Sequence, residues 1–510
     1  MTKWITRASV MVLAFAAAGC ATDVPQALKP TDIPAKFTSP IPTAVDVWPK
    51  KEWWHGFGST ELDGLIADAE KNNLNIAIAF AAVLQAEAQT NAERSTLFPS
   101  ITLSPSATRE QSTLTSGTGR TVSLPGVTGP TFNTFSLTAN GVWSPDIWGL
   151  AQDNLRAAVQ TLKAQRYAQE EVALTEVSDV GTTYLSVLAL RDQITIAVNN
   201  VEAAKRVLVV TQERLKAGTD SELDLAQEEA VVEGQEANIP VLKEQEHEQL
   251  LALAILLGRA PEGFDVAAQN LDGIKSPLVA PGLPSELLLR NPSVAEAEAN
   301  LASAHANVDA ARAAFFPAVS LTGSAGSESS VVGTLFHAST FEWSAGASAL
   351  QTLFDAGKLF AESDISKAEQ LSLVASYRLA VISAFSSVET ALGQVSNYAK
   401  EQEALEREVK SAANAFRISE LQYREGIVDI TTVITTEQTL FAAETSLAQA
   451  KLAHAQAVVA LYESMGGGWS EDPKDQTQYL PGTIPDAPTA PVPNPQDSIW
   501  RALWPNSWSD

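Results

Sequence analysis

The sequence contains a single thiol, Cys20, preceded by the small residues Ala17-Ala18-Gly19. Lys3 and Arg7 supply a positive start, and Ala8 to Ala16 form a short apolar run. Together these describe a bacterial signal peptide with a lipoprotein-type cleavage site. The run is shorter than the roughly 20 residues that span a bilayer. Once cleaved, the thiol is expected to carry diacylglycerol and the freed amine a palmitoyl chain. Several chains then hold one protein where one alone binds marginally. Position −3 is Ala17, where lipoprotein signals more often have Leu. Ala21, rather than Asp, follows the cysteine and points to delivery to the outer membrane.

Other reactive side chains form no recognisable centre. His55, His247, His305, His337 and His454 are scattered, and none belongs to a His-Glu-x-x-His pair. Gly357-Lys358 is followed by Leu359 and has Thr352 where a phosphate loop needs its first glycine. No Gly-x-Ser-x-Gly elbow occurs. We therefore expect no catalytic residue, no metal site and no cofactor. Without its signal the chain has 32 basic and 60 acidic residues, a balance of −28, which argues against nucleic acid as a partner. One cysteine allows no disulfide within the chain, so stability must come from packing or assembly.

The elements that position these residues occur twice. Arg94 to Leu103 (RSTLFPSITL) is echoed by Arg312 to Leu321 (RAAFFPAVSL) at an offset of 218, and Arg214-Leu-Lys-Ala-Gly218 by Gln422-Tyr-Arg-Glu-Gly426 at an offset of 208. In each copy a helix, Glu61–Leu97 or Glu286–Phe315, runs into Phe-Pro, which proline cannot continue. Two strands follow. Proline-free segments rich in Ala, Leu, Gln and Glu, Ala151–Ala217 and Lys358–Glu425, then predict helices about 100 Å long at about 1.5 Å per residue. Gly218 and Gly426 permit left-handed helix ends, and return helices are expected over Ser221–Leu257 and Asp429–Met465. No apolar stretch after the signal is expected to cross a membrane as a helix.

The strands, about 100–109, 131–145, 318–327 and 340–350, alternate with period two. Phe135, Leu137, Ala139, Gly141 and Trp143 oppose Thr134, Ser136, Thr138 and Asn140; Phe341, Trp343, Ala345, Ala347 and Ala349 oppose Thr340, Glu342, Ser344 and Ser348. About ten residues is the length of a tilted strand crossing a bilayer. A soluble sandwich alternates in the same way. Four strands, however, leave open edges that lipid cannot satisfy, so a membrane barrel requires an oligomer. Three chains would supply 12 strands. Glu342 and the net charge predict a preference for cations.

These residues carry a resemblance. Trp53-Trp54-His55-Gly56-Phe57, both Phe-Pro sites, Trp143-Ser-Pro-Asp146-Ile-Trp148-Gly149, Leu353-Phe354-Asp355-Ala356-Gly357, and Leu461-Tyr462 leading into Gly466-Gly-Gly468-Trp469 stand in an order similar to the TolC-like outer-membrane efflux protein family, in its NodT/OprM-type lipoprotein branch. The likeness covers nearly all of Trp48 to Trp469. It implies a mostly α fold with a membrane β-barrel part: a duplicated helix–strand–strand–long-helix–helix unit whose trimer makes a 12-stranded outer-membrane barrel and a long periplasmic helical barrel. The segments expected are a signal peptide (1–19), a lipid-anchored extension (20–57), two repeats (58–270 and 271–470) and a proline-rich tail (471–510), extended or disordered.

The resemblance further implies the passive exit duct of a tripartite efflux pump for drugs or other toxic small molecules. Its partners would be a periplasmic membrane-fusion adaptor and an inner-membrane pump of the proton-driven resistance-nodulation-division type. Adaptor hairpins would meet the turns at Arg214, Gly218, Tyr423, Arg424 and Gly426. The second turn has Gln422 where the family pattern has Arg, so Arg424 is expected to serve there. We pair Asp224 with Tyr423 as candidate gate residues; the alternative for Asp224 is a cap on the return helix. Thr432 and Thr435 stand where family members often carry an acidic ring. A type I protein-secretion duct has the same fold and a different pump, and a periplasmic adaptor lipoprotein is a further alternative.

Overall fold

The computed structural model describes residues 33–34, 36–40, 48–111 and 130–469. Cys20, the signal and the proline-rich tail lie outside the described residues.

The first described element is a 3-10 turn, Trp53–Phe57, followed by α1 (Thr60–Asn72) and α2 (Leu74–Ser95). Where the sequence suggests one helix, the structure has two. Asn73 has extended backbone, and its side-chain oxygen accepts from the amides of Asn75 and Ile76. A residue that caps a new helix must first leave the old one, so the axis breaks there. Asn291, the repeat-related position, caps α5 (Pro292–Ala313) in the same way, with its side chain accepting from Val294 N. The expected helix from Glu286 is thus only a short turn, Pro284–Leu287, before α5.

Strands β1 (Ser100–Gln111) and β2 (Thr131–Trp143) follow α2, and β3 (Ala318–Ser329) and β4 (Phe341–Leu350) follow α5. They form one antiparallel sheet in sequence order, in which β2 pairs with β3 and thereby joins the two repeats. The register puts Ile101 opposite Gly141, Trp143 opposite Leu321, and Ala325 opposite Trp343, so one face is apolar across all four strands. Hydroxyls line the other face, where Ser106 meets Ser136 and Ser324 meets Ser344, each at 2.8 Å. At Gly326 a Cβ would lie 2.3 Å from Leu137 O, so only glycine lets β2 and β3 approach at that point. β1 and β4 are both open edges.

Two 67-residue helices, α3 (Leu150–Lys216) and α6 (Lys358–Arg424), leave one end of this sheet, and each turns back into a 35-residue helix, α4 (Glu222–Leu256) and α7 (Ile430–Ser464). Acidic residues start both long helices. Asp146 accepts from Gly149 N at 3.0 Å and Gln152 N at 2.8 Å; Asp355 accepts from Gly357 N and Leu359 N, both at 2.9 Å. These hydrogen bonds, led by that from Leu359, hold the Asp355 carboxyl below its usual range.

The largest core gathers Trp53, Trp54 and Phe57 with Leu185 and Leu188 of α3, Val388 and Leu392 of α6, and Leu461 and Tyr462 of α7. Trp53 stacks on Tyr462 at 5.1 Å, joining the segment just before the first repeat to the end of the second. One helix has the hydropathy of a membrane span by length and composition alone. α6 contains an 18-residue window of mean hydropathy 1.5, enough by length and composition for a bilayer, and only 28% of it is buried. Because α6 packs along α5 and α7, we read its exposed Leu371, Leu379 and Ile382 as a lateral packing face.

Candidate functional site at the paired helix turns

The helices end in the two glycine turns that the sequence singles out. Gly218 has φ 74° and Gly426 φ 71°, in the left-handed region that disfavours a side chain. In the first turn Thr219 N donates to Arg214 O and Gly218 N to Leu215 O; in the second, Ile427 N donates to Gln422 O and Gly426 N to Tyr423 O. Both have the hydrogen-bond pattern of a Schellman C-cap, which satisfies carbonyls the helix leaves unpaired. Return helix α4 is capped by Ser221 and α7 by Asp429.

Side chains tie the two turns together. Arg214 Nε lies 3.0 and 3.1 Å from the Asp220 carboxylate oxygens, and its Nη1 donates to Tyr423 O at 2.9 Å. Its guanidinium lies 4.7 Å from the centre of the Tyr423 ring, within reach of a cation–π attraction. Tyr423 is 1% exposed. Its hydroxyl donates to Asp220 Oδ2 and lies 3.0 Å from Thr211 Oγ1. Burial, reinforced by the adjoining Asp220 carboxylate, pushes the Tyr423 hydroxyl up to about 12, so it remains a donor at any physiological pH. The end of α6 is thus tied to the α3–α4 turn through a side-chain carboxylate that is 6% exposed. Val207, Phe416, Ile430, Val433 and Phe441 pack around the junction.

The acid in this junction is Asp220, which corrects the pairing expected from sequence. Asp224 Oδ2 accepts from Ser221 N at 2.7 Å and from Ser221 Oγ at 2.8 Å, completing a capping box at the start of α4. Its carboxylate is committed to its own helix. The Ser-x-x-Asp spacing is the sequence signal for this, whereas Asp220 directly precedes the N-cap and carries no comparable signature. Arg424 reaches back to Glu420 on α6 at 2.5 Å rather than across to the other turn. In the second turn Ile427 and Val428 occupy the places of Thr219 and Asp220, so each chain has one such polar lock. Thr432 and Thr435 hydrogen-bond to Asp429 and Thr431 on their own helix.

An open four-stranded sheet with one apolar and one hydroxyl face, carried on helices about 100 Å long, defines a chain that contributes a segment of a membrane-spanning tube. The profile of the outer membrane efflux protein family matches residues 65–259 and 283–467, and the chain belongs to that family. It is 36% identical to the pyoverdine export outer membrane protein OpmQ of Pseudomonas aeruginosa, over 83% of this chain and 88% of that one. It is 28% identical to the antibiotic efflux pump outer membrane protein ArpC of Pseudomonas putida, over 92% and 97% of the two chains. Among solved structures it resembles the open state of the Neisseria gonorrhoeae MtrE outer membrane channel, with a TM-score of 0.77 and 25% identity over 88% of this chain and 98% of that one. The protein is an outer-membrane efflux channel.

Proposed function

We propose that three copies assemble into the passive exit duct of a tripartite pump, with a periplasmic adaptor at the helix turns and a proton-driven pump in the inner membrane. The observation that carries this reading is the sheet. Both edges are open, its faces differ in polarity, and lipid tolerates no unpaired strand edge. Three copies close it, with hydroxyls toward the lumen and Ile101, Leu103, Leu321 and Trp343 toward lipid. The same symmetry closes the long helices into a periplasmic cylinder that ends at the Gly218 and Gly426 turns. There the Arg214–Asp220–Tyr423 lock holds the mouth shut until the adaptor displaces it. The duct does no chemistry of its own.

The lipid is proposed to sit on Cys20, and chain length permits it. Thr38 N lies 3.1 Å and Ser39 N 2.5 Å from the Glu389 carboxylate. Glu389 lies 31 residues along α6 from the sheet end, about 46 Å by helix rise. The 19 residues back to Cys20 extend up to about 65 Å, enough to reach the membrane.

The cargo is a small molecule, of the kind named for ArpC (antibiotics) or for OpmQ (pyoverdine). A deletion strain grown against a panel of antibiotics and metals, with its culture fluid assayed for pyoverdine-like compounds, tests this. We expect greater susceptibility or lost export of such a compound, restored by the intact gene. A strain defective only in secreting a polypeptide would overturn the reading.

A further inference from the structure

Behind the lock, two more carboxylates are enclosed by helices of the same junction. Glu228 is the seventh residue of α4 and Glu437 the eighth of α7, so both lie about 10 Å into the return helices. Each is 0% exposed. None of their four carboxylate oxygens has a hydrogen-bond partner. The charged groups facing Glu437 come from every neighbouring helix: Arg206 from α3, Glu228 from α4 and Glu420 from α6. Glu420 is already engaged by Arg424. Arg206 attracts, but burial and the two like charges outweigh it.

An ionised carboxylate in such a place lacks both water and donors, and its charge is far costlier to bury than the neutral acid. Burial, then the charges of Glu228 and Glu420, pushes Glu437 up to about 8, and burial alone pushes Glu228 up to about 7. We propose that Glu228 and Glu437 form a proton-dependent latch: both neutral, they let α4 and α7 pack and keep the mouth closed; ionised, they draw water between these helices and favour opening. The latch rests on the reading of these turns as a gate. The sign follows from linkage. The closed form binds protons that the hydrated open form releases, so closure is strongest in acid. It weakens as pH climbs from the ordinary carboxylate range through 7 to 8, and changes no further above that.

Single-channel recording of the full-length protein in planar bilayers between pH 5.5 and 9 tests this. Wild-type open probability should rise on the order of tenfold or more between pH 6 and 8.5, and Glu228→Gln/Glu437→Gln should change less than about twofold over that range. A flat wild-type profile, or a double variant that keeps the wild-type response, overturns the latch. Asp220→Ala separates the two readings. If it leaves conductance unchanged at every pH, the gate reading fails and the latch with it. If it opens the channel while the double variant keeps its pH response, the latch alone fails. Infrared spectra of the wild-type protein give a readout independent of conductance. Glu463, which burial also pushes up to about 7, adds to the protonated-carboxyl band in every variant, so a band at pH 6.5 that is weaker in the double variant than in the wild type and lost by pH 9 supports the latch, and bands of equal strength in the two proteins overturn it.

Discussion

Asp220 is the shared acceptor for the Tyr423 hydroxyl and the Arg214 guanidinium. Removing it leaves the hydroxyl of Tyr423, a residue 1% exposed, with Thr211 Oγ1 alone and takes the carboxylate away from Arg214 Nε. A hydrogen bond to a charged group contributes about 2 kcal/mol, so Asp220→Ala should shift the closed-to-open ratio by roughly thirtyfold, read as open probability in bilayers. Asp224 serves as the control because its carboxylate caps α4. Asp224→Ala should cost about 1 kcal/mol of stability and leave conductance within about twofold of wild type. If it opened the channel as far as Asp220→Ala, the lock would have been assigned to the wrong acid. The sequence held both aspartates in plain view, four residues apart; which one faces Tyr423 depends on the path of the turn.

At the scale of elements, the two repeats start their long helices alike but not identically. The first spaces acid and glycine as Asp146-Ile-Trp-Gly149, the second as Asp355-Ala-Gly357, one residue shorter. Ala356 has φ 56°, making it the non-glycine residue with positive φ among the described residues. A left-handed conformation costs an L-residue about 1 to 2 kcal/mol, against which glycine adds about 0.5 to 1 kcal/mol of unfolded-state entropy. Ala356→Gly should therefore stabilise the protein by about 0.5 kcal/mol, seen as a small rise in the thermal midpoint; a fall in the midpoint would show that the Ala356 methyl makes a contact worth more than the strain. Helix lengths were legible because an unbroken run without proline between two glycines leaves little else to form. The break at Asn73 was harder to see, because asparagine is tolerated inside helices until a side-chain cap and a neighbouring element make leaving worthwhile, whereas that at Asn291 is signalled by Pro292, which starts α5. At Asn73 that neighbour is Glu176 of α3, which accepts from its Nδ2 at 2.5 Å.

At the scale of the whole molecule, the barrel itself would hold the protein in the membrane, so the lipid proposed on Cys20 would serve delivery and assembly more than retention. A Cys20→Ser protein exported with a cleavable signal should still form working trimers in reduced yield, counted on non-denaturing gels of outer membranes. Complete loss of trimer would make the anchor indispensable. The docking of Thr38 and Ser39 on Glu389 fastens the chain next to the main core without the lipid. Burial raises the Glu389 carboxyl, yet the hydrogen bonds from Thr38 and Ser39 outweigh it and hold the group below its usual range, so this contact persists at neutral pH.

The sequence by itself determined the duplicated order of helices and strands, the length of the long helices, the alternation of the strands and the two glycine turns. Each of these is written in local periodicity or in residues with restricted backbone, which act before distant segments meet. Tertiary structure alone decided which acid meets Tyr423, that Arg424 stays on its own helix, and that Glu228 and Glu437 are enclosed without a donor. Those outcomes depend on how α3, α4, α6 and α7 come side by side, and residues about 200 positions apart in sequence carry no spacing that reveals it.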